Sequence, residues 1–357
     1  MIPIKYNDSK LKEYNDFIDT FLGNLDKCLN KGYVGNRNRW KVSEAKKFYK
    51  DLSAEQQTIF DNSAEFTLWQ SLANNRTFLA ADLPMDTNTV HFITKARREL
   101  KTWVNLCPKG IKELSNNLVV NYADFKNHSS TLYRVTYKLF VDEGYKKLPN
   151  DNLIEATGAD VCPYCNRVFI KNVDGKDGKQ VKGQLDHFYD KAQYPYLAIL
   201  KYNLIPSCPF CNGPTGKHSK DAEEEGLVSP FMLESADTMK FHIDINGSDF
   251  VDMNACADAI SIRITYNNTN DMKNNVRVFH IEELYNSHTD YAAEMYFRNL
   301  MRQSEAYKKF VSDLQLNMSS EDFHRMIFGF SNKEEDICKR PISKFCKDIL
   351  EDLEKYT

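Results

Sequence analysis

The first 150 residues carry apolar side chains at helical spacing. In residues 8–31 the repeat runs through seven positions: Leu11, Tyr14, Phe17, Ile18, Phe21, Leu22 and Leu25. Steps of three and four residues predict an amphipathic helix. Further helices are predicted near 44–51, 54–74, 88–106 and 129–147. No strand-like alternation interrupts them, so residues 1–150 are predicted to form a mainly helical lobe.

Residues 239–280 show a different pattern. Three segments alternate apolar and polar residues or are rich in β-branched residues: MKFHIDI, AISIRITY and VRVFHI. The turn signal Asn246-Gly247 follows the first of them, so a small β element is predicted here. Helical spacing then returns over 282–316, near 319–329 and over 341–356.

Two cysteine pairs lie between these regions, Cys162-Pro-Tyr-Cys165 and Cys208-Pro-Phe-Cys211. The first pair alone also matches the redox motif of glutaredoxin-like domains, which requires a βαβ surround. Here it leads into a predicted hairpin with Asp-Gly turn signals. Two Cys-x-x-Cys turns of the same form, here termed knuckles, can place four thiolates around Zn²⁺. Such a site has no open ligand position, so a structural zinc is predicted.

Composition narrows the class of protein. The chain has 357 residues, of which 42% are hydrophobic and 12% aromatic, enough for two or three domains or lobes with packed cores. No apolar run approaches the ~18 residues needed to span a bilayer, and the first residues lack a signal core. A cytoplasmic protein without membrane contact is therefore expected, which favours metal binding over disulfides for the cysteine pairs.

The charge is unevenly distributed. The formal net charge is −3, whereas residues 162–220 contain nine Lys and Arg against four Asp and Glu. A local positive excess suits contact with a phosphate backbone. The same lysines could equally form an ordinary solvated face, so nucleic-acid contact is one of two interpretations of this region.

Between and just after the knuckles lie residues suited to phosphodiester hydrolysis: Asp186, His187, Asn203 and Asn212. A histidine can activate water near neutral pH. A carboxylate and an amide oxygen can hold Mg²⁺, which neutralises charge and helps the leaving oxygen. Each residue alone is commonplace in a turn, a cap or a core. Their joint placement within the four-cysteine frame predicts a nuclease site.

These motifs resemble the HNH, or ββα-metal, endonucleases of the zinc-stapled type. The matching segments are Leu185-Asp186-His187, Asn203-Leu204-Ile205-Pro206 and Cys208-Pro209-Phe210-Cys211-Asn212, with Lys217 close behind. The resemblance implies His187 as general base, Asp186 and Asn212 as ligands of the catalytic metal, and Asn203 as an orienting residue. It also implies that Lys217 contacts substrate phosphate.

The chain departs from many family members at Asn212, where they have histidine. An amide oxygen favours an oxygen-loving ion, so Mg²⁺ is expected at the catalytic position rather than Zn²⁺.

A narrower resemblance covers roughly residues 150–357. The segments CPYCNR, LDHFYDKAQYPYLAILKYNLIPSCPFCN, VSPF and RPISKFCKDIL are similar to the PtuB family, the HNH component of Septu-type and retron-linked anti-phage systems. The resemblance implies a PtuA-like ATPase partner and cleavage of nucleic acid on phage infection. The sequence contains no Walker A pattern, so ATP dependence is expected to come from another chain.

The predicted fold class is α+β, mainly helical with an embedded zinc-stapled HNH core and a small β element. Three regions are predicted: a helical lobe at 1–150, the HNH core at 151–235, and the β element with a helical C-terminal part at 236–357. The predicted function is a metal-dependent endonuclease, with DNA favoured over RNA. The alternative is a catalytically inactive zinc-stapled scaffold that binds nucleic acid or protein.

Overall fold

The structure is a computed structural model that describes residues 1–31, 53–61, 85–174, 180–181, 183–236, 239–247, 252–266, 270–313 and 318–356. It divides into two compact units. The helical unit comprises Leu11–Pro149 and His187–Leu204, and the knuckle unit comprises Met1–Lys10, Asn150–Asp186 and Ile205–Thr357. These units cut across the three regions expected from the sequence, whose boundaries stay a prediction.

In the residues that the structure describes, the helical unit consists of helices and short turns. Its α-helices are α1 (Lys12–Lys31), α2 (Ala54–Asp61), α3 (Thr87–Trp103), α4 (Pro108–Asn121) and α5 (Thr131–Thr136). Helix α5 continues into a π-helix, Tyr137–Gly144, and a 3₁₀ turn, Tyr145–Lys147. The other 3₁₀ turns are Ala123–Lys126, Pro195–Leu197 and Lys201–Asn203. The helices predicted at 8–31, 88–106 and 129–147 are confirmed. The helix expected at 44–51 and the later part of that at 54–74 lie outside the described residues.

An aromatic cluster forms the core of the helical unit. The Phe92 ring lies 4.9–6.4 Å, centroid to centroid, from five other rings: Trp103, Tyr122, Phe125, Phe140 and Tyr196. Tyr196 comes from the segment 187–204, and its hydroxyl shares a hydrogen bond with Ser115 on α4. This segment therefore packs into the helical core although it lies between the two cysteine pairs in sequence.

Gly144, at the end of the π-helix, is a point of close approach. A Cβ on this residue would lie 2.9 Å from Ile199 Cγ2 and 3.1 Å from a ring carbon of Phe21. Real Cβ atoms do not come so close, so only glycine lets the π-helix approach the segment 187–204 at this distance. Tyr145 follows Gly144 directly in the sequence.

Within its described residues, the knuckle unit mixes helices with three pairs of short strands. Its strands are β1 (Val173–Asp174), β2 (Gln180–Val181), β3 (Gln184–His187), β4 (Leu204–Ser207), β5 (Met239–Ile245) and β6 (Ile260–Tyr266), with one end residue of β3 and of β4 counted in the helical unit. Its helices are α6 (Asn150–Thr157), α7 (Pro209–Asn212), α8 (Met253–Ala259), α9 (Asn270–Val278), α10 (Ile281–Asn286), α11 (Thr289–Gln303), α12 (Glu305–Asp313), α13 (Ser320–Phe328) and α14 (Ser343–Leu353). Short 3₁₀ turns cover Asp8–Lys10, Pro230–Met232, Glu334–Asp336 and Glu354–Tyr356. A mainly helical α+β protein is thus confirmed.

The strands pair as β1–β2, β3–β4 and β5–β6. The β1–β2 pair is the antiparallel hairpin predicted after the first knuckle, with Val173 opposite Val181. In the antiparallel β5–β6 pair, Phe241 lies opposite Ile264 and Ile243 opposite Ile262. Phe241 also packs on Tyr285 and on Phe345 of α14, which joins this pair to the C-terminal helix.

One detail of the predicted β element was wrong. The segment VRVFHI is not a strand, because its first part ends helix α9. Met272, Val276 and Phe279 are all buried at helical spacing, and this burial outweighs the β-branched composition. Helix α8 lies between β5 and β6.

No helix in the described ranges combines the length and the apolar character needed to cross a membrane.

A buried ion pair lies on α14 in the knuckle unit. Lys344 Nζ lies 2.7–2.8 Å from both carboxylate oxygens of Asp348, and Asp348 also accepts a hydrogen bond from the Phe241 backbone N–H. Both side chains are about 1% exposed. Removing one partner leaves a buried charge without compensation, which costs much more than losing a surface pair.

We expect Asp348→Ala to lower the free energy of unfolding by about 3–5 kcal/mol, measured by urea denaturation. The matched control is Asp16→Ala, which breaks a Lys–Asp pair with the same four-residue spacing on the exposed face of α1. The control should leave stability almost unchanged. Equal effects of the two substitutions would contradict the importance of the buried pair.

Candidate active site and metal centre

Four buried cysteines meet in the knuckle unit. The sulfurs of Cys162, Cys165, Cys208 and Cys211 all lie within 4.8 Å of one another, and all four cysteines are unpaired thiols. Cys165 Sγ and Cys208 Sγ are 3.8 Å apart, far beyond the ~2.05 Å of a disulfide. Sulfurs placed tetrahedrally roughly 2.3 Å from one zinc ion are about 3.8 Å apart. The cluster therefore fits a four-thiolate zinc site.

The four thiols influence one another's protonation. Hydrogen bonds from Cys162, Cys165 and Cys211 hold the pKa of Cys208 far below its usual range, whereas burial raises the pKa of Cys162. Four adjacent buried thiolates repel one another, and a divalent cation at their centre removes that repulsion.

The first knuckle closes through a left-handed residue. Asn166 has φ 54°, and its N–H donates to the Cys162 carbonyl oxygen at 2.7 Å. Asparagine tolerates this conformation better than most residues. Its side-chain amide donates to Ile337 O and accepts from Lys344 N, so the C-terminal segment holds the turn. Tyr285 adds a hydrogen bond from its hydroxyl to Cys165 O.

The second knuckle returns tightly on itself. A Cβ on Gly216 would lie 2.3 Å from the Cys211 carbonyl oxygen, so this position requires glycine. The same carbonyl accepts the N–H of Lys217 at 2.9 Å. The return directs Lys217 inward, and its side chain is fully buried.

Asp186 lies on β3 and is held by one residue from each knuckle. Tyr164, between the first two cysteines, donates its hydroxyl to Asp186 Oδ2 at 2.7 Å. Lys217, after the second pair, places Nζ 3.5 Å from Asp186 Oδ1. Burial and the nearby carboxylate raise the pKa of Tyr164, so its hydroxyl stays a proton donor. The two cysteine-pair segments thus position this carboxylate.

The sequence suggested that Lys217 contacts phosphate, but the structure places it differently. Its side chain is 0% exposed and forms an ion pair with Asp186. In this conformation the ammonium group has no exposed surface, and its surroundings fit the neutralisation of a buried carboxylate.

Asn212 is the last residue of α7. Its amide nitrogen donates to Gln184 Oε1 at 2.9 Å. Gln184 and Asp186 are two positions apart on β3, so they lie on the same face of that strand. Asn212 and Asp186 therefore belong to one side of the knuckle unit. The bond to Gln184 uses the amide nitrogen and leaves the carbonyl oxygen available as a ligand.

The oxygen atoms of Asp186 and Asn212 suit a hard cation better than a soft one. Mg²⁺ is usually held through one or two carboxylates with further oxygen ligands, and Asp186 with Asn212 offers such oxygens. Within the described ranges, no trio of His, Cys, Asp or Glu side chains besides the cysteine cluster converges in this way. A catalytic ion would therefore depend on few protein ligands.

His187 belongs to the helical unit and is buried there. Its Nε2 lies 3.1 Å from the carbonyl oxygen of Ala198, and its ring packs edge-on against Tyr145 at 4.3 Å between centroids. A carbonyl oxygen can only accept a hydrogen bond, so Nε2 carries the hydrogen. In the neutral imidazole Nδ1 then has the lone pair. This tautomer is suited to taking a proton at Nδ1.

Asn203 ties together the segment that carries His187. Its Oδ1 accepts the Tyr189 N–H at 2.7 Å, and its Nδ2 donates to the carbonyl oxygens of Tyr189 and Leu197. The residue is fully buried and ends a 3₁₀ turn directly before β4. Its amide therefore holds the segment 187–204 in one conformation.

Sequence reasoning missed four supporting groups. They are the Tyr164 hydroxyl, the Gln184 side chain, the Tyr145 ring and the Ala198 carbonyl oxygen. Only Tyr164 has a local signal, because it sits inside a cysteine pair. The other three became neighbours of the site through folding.

Searches against protein-family models and against solved structures find no match. Among curated proteins, the chain is similar to the Septu protein PtuB of Bacillus thuringiensis, with 34% identity over 67 residues. The alignment covers 18% of this chain and 25% of that protein. The chain thus matches about a quarter of the length of this relative.

Proposed function

We propose that this chain is a metal-dependent endonuclease of the HNH type, which hydrolyses phosphodiester bonds of nucleic acid. The observation that carries the proposal is the state of His187. Its Nε2 is committed to the Ala198 carbonyl oxygen, so Nδ1 is the nitrogen that can accept a proton. A buried histidine with a defined tautomer is suited to general-base catalysis near neutral pH.

In the proposed mechanism His187 Nδ1 removes a proton from the attacking water. The Ala198 carbonyl oxygen stabilises the imidazolium that forms, because the Nε2–H bond to it strengthens when the ring is charged. Asp186 and the Asn212 carbonyl oxygen would hold a Mg²⁺ ion. When bound, that ion neutralises charge on the phosphate and assists the leaving oxygen. Asn203 orients the segment that carries the histidine.

Lys217 and Tyr164 act on Asp186 and not on the substrate. Both approach its carboxylate within the knuckle unit, and both are anchored next to cysteines. The carboxylate therefore keeps one orientation before a metal ion binds, which limits the reorganisation that binding requires.

The similarity to PtuB supports a role in a Septu-type anti-phage system. We propose a PtuA-like ATPase as the partner, and DNA as the preferred substrate over RNA. The net charge of −3 agrees with a nuclease that relies on a partner to deliver or gate its substrate.

The test is a cleavage assay on DNA and RNA, single- and double-stranded, with Mg²⁺. It compares the chain alone with the chain plus a PtuA-like ATPase from the same source. The proposal expects cleavage in at least one arm and none without Mg²⁺. If no arm shows cleavage, the chain is not a nuclease.

One observation favours the alternative of an inactive scaffold. Asp186 is only 2% exposed and already has Tyr164 and Lys217 as partners, an arrangement that also suits a purely structural carboxylate. In that case the chain should still bind about one zinc ion and its partner, while Mg²⁺ should have no effect on any activity or on folding.

Tyr164→Phe tests the link between the knuckle and the carboxylate. Loss of the hydroxyl removes one hydrogen bond to Asp186, and we expect activity to fall about 10–100-fold. The concentration of Mg²⁺ needed for half-maximal rate should rise, which distinguishes positioning of a ligand from general loss of structure. Zinc content should stay the same.

The control for this variant is Tyr307→Phe on α12, which removes a hydroxyl from a helix in the same unit. It should leave both rate and Mg²⁺ dependence unchanged. If Tyr164→Phe behaves in the same way, the hydroxyl does not position Asp186 for catalysis.

A further inference from the structure

A cleft of about 660 Å³ lies in the knuckle unit, formed by both knuckles and by the C-terminal helices. Its lining includes three arginines and three exposed aromatic rings: Arg167, Arg298, Arg340, Phe169, Phe210 and Tyr291. Sites for small molecules typically occupy ~300–1,000 Å³. The cleft is therefore large enough for a nucleotide-sized ligand.

The cleft carries positive charge that its own residues do not cancel. Arg298 is paired with Glu294 at 2.8 Å, so that pair is neutral. Arg167 and Arg340 have no carboxylate partner within the described part of the chain. Arg340 donates to the Gly329 carbonyl oxygen, which uses only one of its five N–H groups. Two guanidinium groups thus keep donors for an anion.

His288 adds no charge that would change this balance. Arg167 Nε donates to His288 Nε2 at 2.9 Å, and a guanidinium can only donate, so Nε2 is unprotonated. Burial and the Arg167 charge lower the pKa of His288, which keeps the ring neutral at physiological pH. The bond also holds the Arg167 side chain in one orientation at the cleft.

The aromatic rings are unusually exposed. Phe169 is 60% exposed and Phe210 is 62% exposed, and each belongs to a segment held by a cysteine pair. Rings on a rigid frame lose little conformational entropy on binding. Aromatic rings can stack on any of the nucleic-acid bases. Guanidinium groups bind phosphate in a bidentate manner.

The cleft is distinct from the proposed hydrolytic site. Phe210 lines the cleft, whereas Asn212, two residues later on α7, contacts Gln184 on β3. Residues two apart on a helix project roughly 200° apart. The short helix α7 therefore separates the cleft from the side that carries Asp186.

We propose that this cleft binds a nucleotide, with its base stacked on Phe169 or Phe210 and its phosphate bound by Arg167 and Arg340. The nucleotide is either free or a unit of single-stranded nucleic acid. The inference does not depend on hydrolysis, since binding uses residues outside the proposed catalytic set. An acidic peptide of a protein partner is the competing occupant, and the planar rings and guanidinium groups favour a nucleotide.

The test measures binding by the full chain with its zinc and without added Mg²⁺, in the His187→Ala background so that no cleavage interferes. One arm uses a fluorescent oligothymidylate of roughly 12 nucleotides, and the other uses thymidine monophosphate as ligand. Affinity for both indicates a nucleotide pocket, and affinity for the oligonucleotide alone indicates a strand-binding site. Either result supports the proposal.

Two variants and two controls locate the binding. Phe210→Ala should weaken binding about 5–150-fold, the range expected for loss of base stacking. Arg340→Gln should weaken it and reduce the slope of affinity against salt concentration by about one. The controls are Phe310→Ala and Arg263→Gln, which alter an equally exposed ring and an arginine outside the cleft. They should stay within about twofold of the parent.

Zinc content and thermal unfolding of Phe210→Ala must match the parent, which excludes a folding defect. The proposal is overturned if the parent binds neither ligand, or if Phe210→Ala and Arg340→Gln bind as well as the controls. It is also overturned if these variants lose only the ATPase partner, because the cleft would then be a protein-docking site. None of these outcomes bears on cleavage, which is tested separately.

Discussion

Replacement of His187 by alanine is expected to reduce nucleic-acid cleavage by about 10²–10⁴-fold, the usual contribution of a general base. The variant removes the only group in the proposed mechanism that takes the proton from water. Cleavage rates under single-turnover conditions with Mg²⁺, with and without the ATPase partner, measure the effect. Zinc content should be unchanged, because the histidine lies outside the cysteine cluster.

A second variant separates chemistry from packing. His187 is buried against Tyr145, so alanine also leaves a cavity. His187→Gln keeps an N–H donor for the Ala198 carbonyl oxygen but has no basic nitrogen at neutral pH. It should fold normally and be as inactive as the alanine variant. The control is His128→Ala, an exposed histidine of the same unit, which should retain full activity.

If His187→Gln cleaves as fast as the wild type, histidine is not the base and the catalytic assignment fails. If it folds and is inactive while His128→Ala is active, base catalysis by His187 is supported.

Removal of the zinc ion, or Cys208→Ser, is expected to unfold the knuckle unit. Four-thiolate zinc sites contribute on the order of 10–16 kcal/mol at neutral pH, which rivals the ~5–15 kcal/mol that stabilises an entire domain. Without the ion, four buried thiols would remain with no common partner. Both knuckles would then lose their turns, and with them the positions of Tyr164 and Lys217 beside Asp186.

The measurements are metal analysis, thermal unfolding and cleavage activity. The wild type should contain about one zinc ion per chain and lose its unfolding transition on treatment with a strong chelator. The control is Cys107→Ser, which alters an exposed cysteine at the start of α4 and should keep zinc and stability. A stably folded, active Cys208→Ser chain without zinc would show that the cluster is dispensable.

The sequence alone determined much of the helical architecture. The apolar repeat of residues 8–31 is buried as predicted, because helical period and burial both follow from the spacing of side chains. The spacing of the four cysteines also predicted their cluster. Such a prediction is local, since each knuckle needs only a tight turn and two sulfurs that face the same way.

The local sequence pattern predicted the wrong secondary structure where burial of side chains competed with their intrinsic strand preference. Val276, Arg277 and Val278 favour a strand by composition, yet they end helix α9 because Met272, Val276 and Phe279 fill one buried face. Side-chain packing contributes more than intrinsic strand preference, whose whole scale spans only ~1 kcal/mol. A sequence does not state which neighbours will be available for packing.

The candidate site, too, was predicted only in part from the sequence. Its residues Asp186, His187, Asn203 and Asn212 could be identified from their types and order, but their environments could not. Tertiary structure decided that Lys217 pairs with Asp186, and that the Ala198 carbonyl oxygen sets the tautomer of His187. It also grouped His187–Leu204 with the helical unit. These contacts join residues through packing that depends on the whole chain, so no local spacing encodes them.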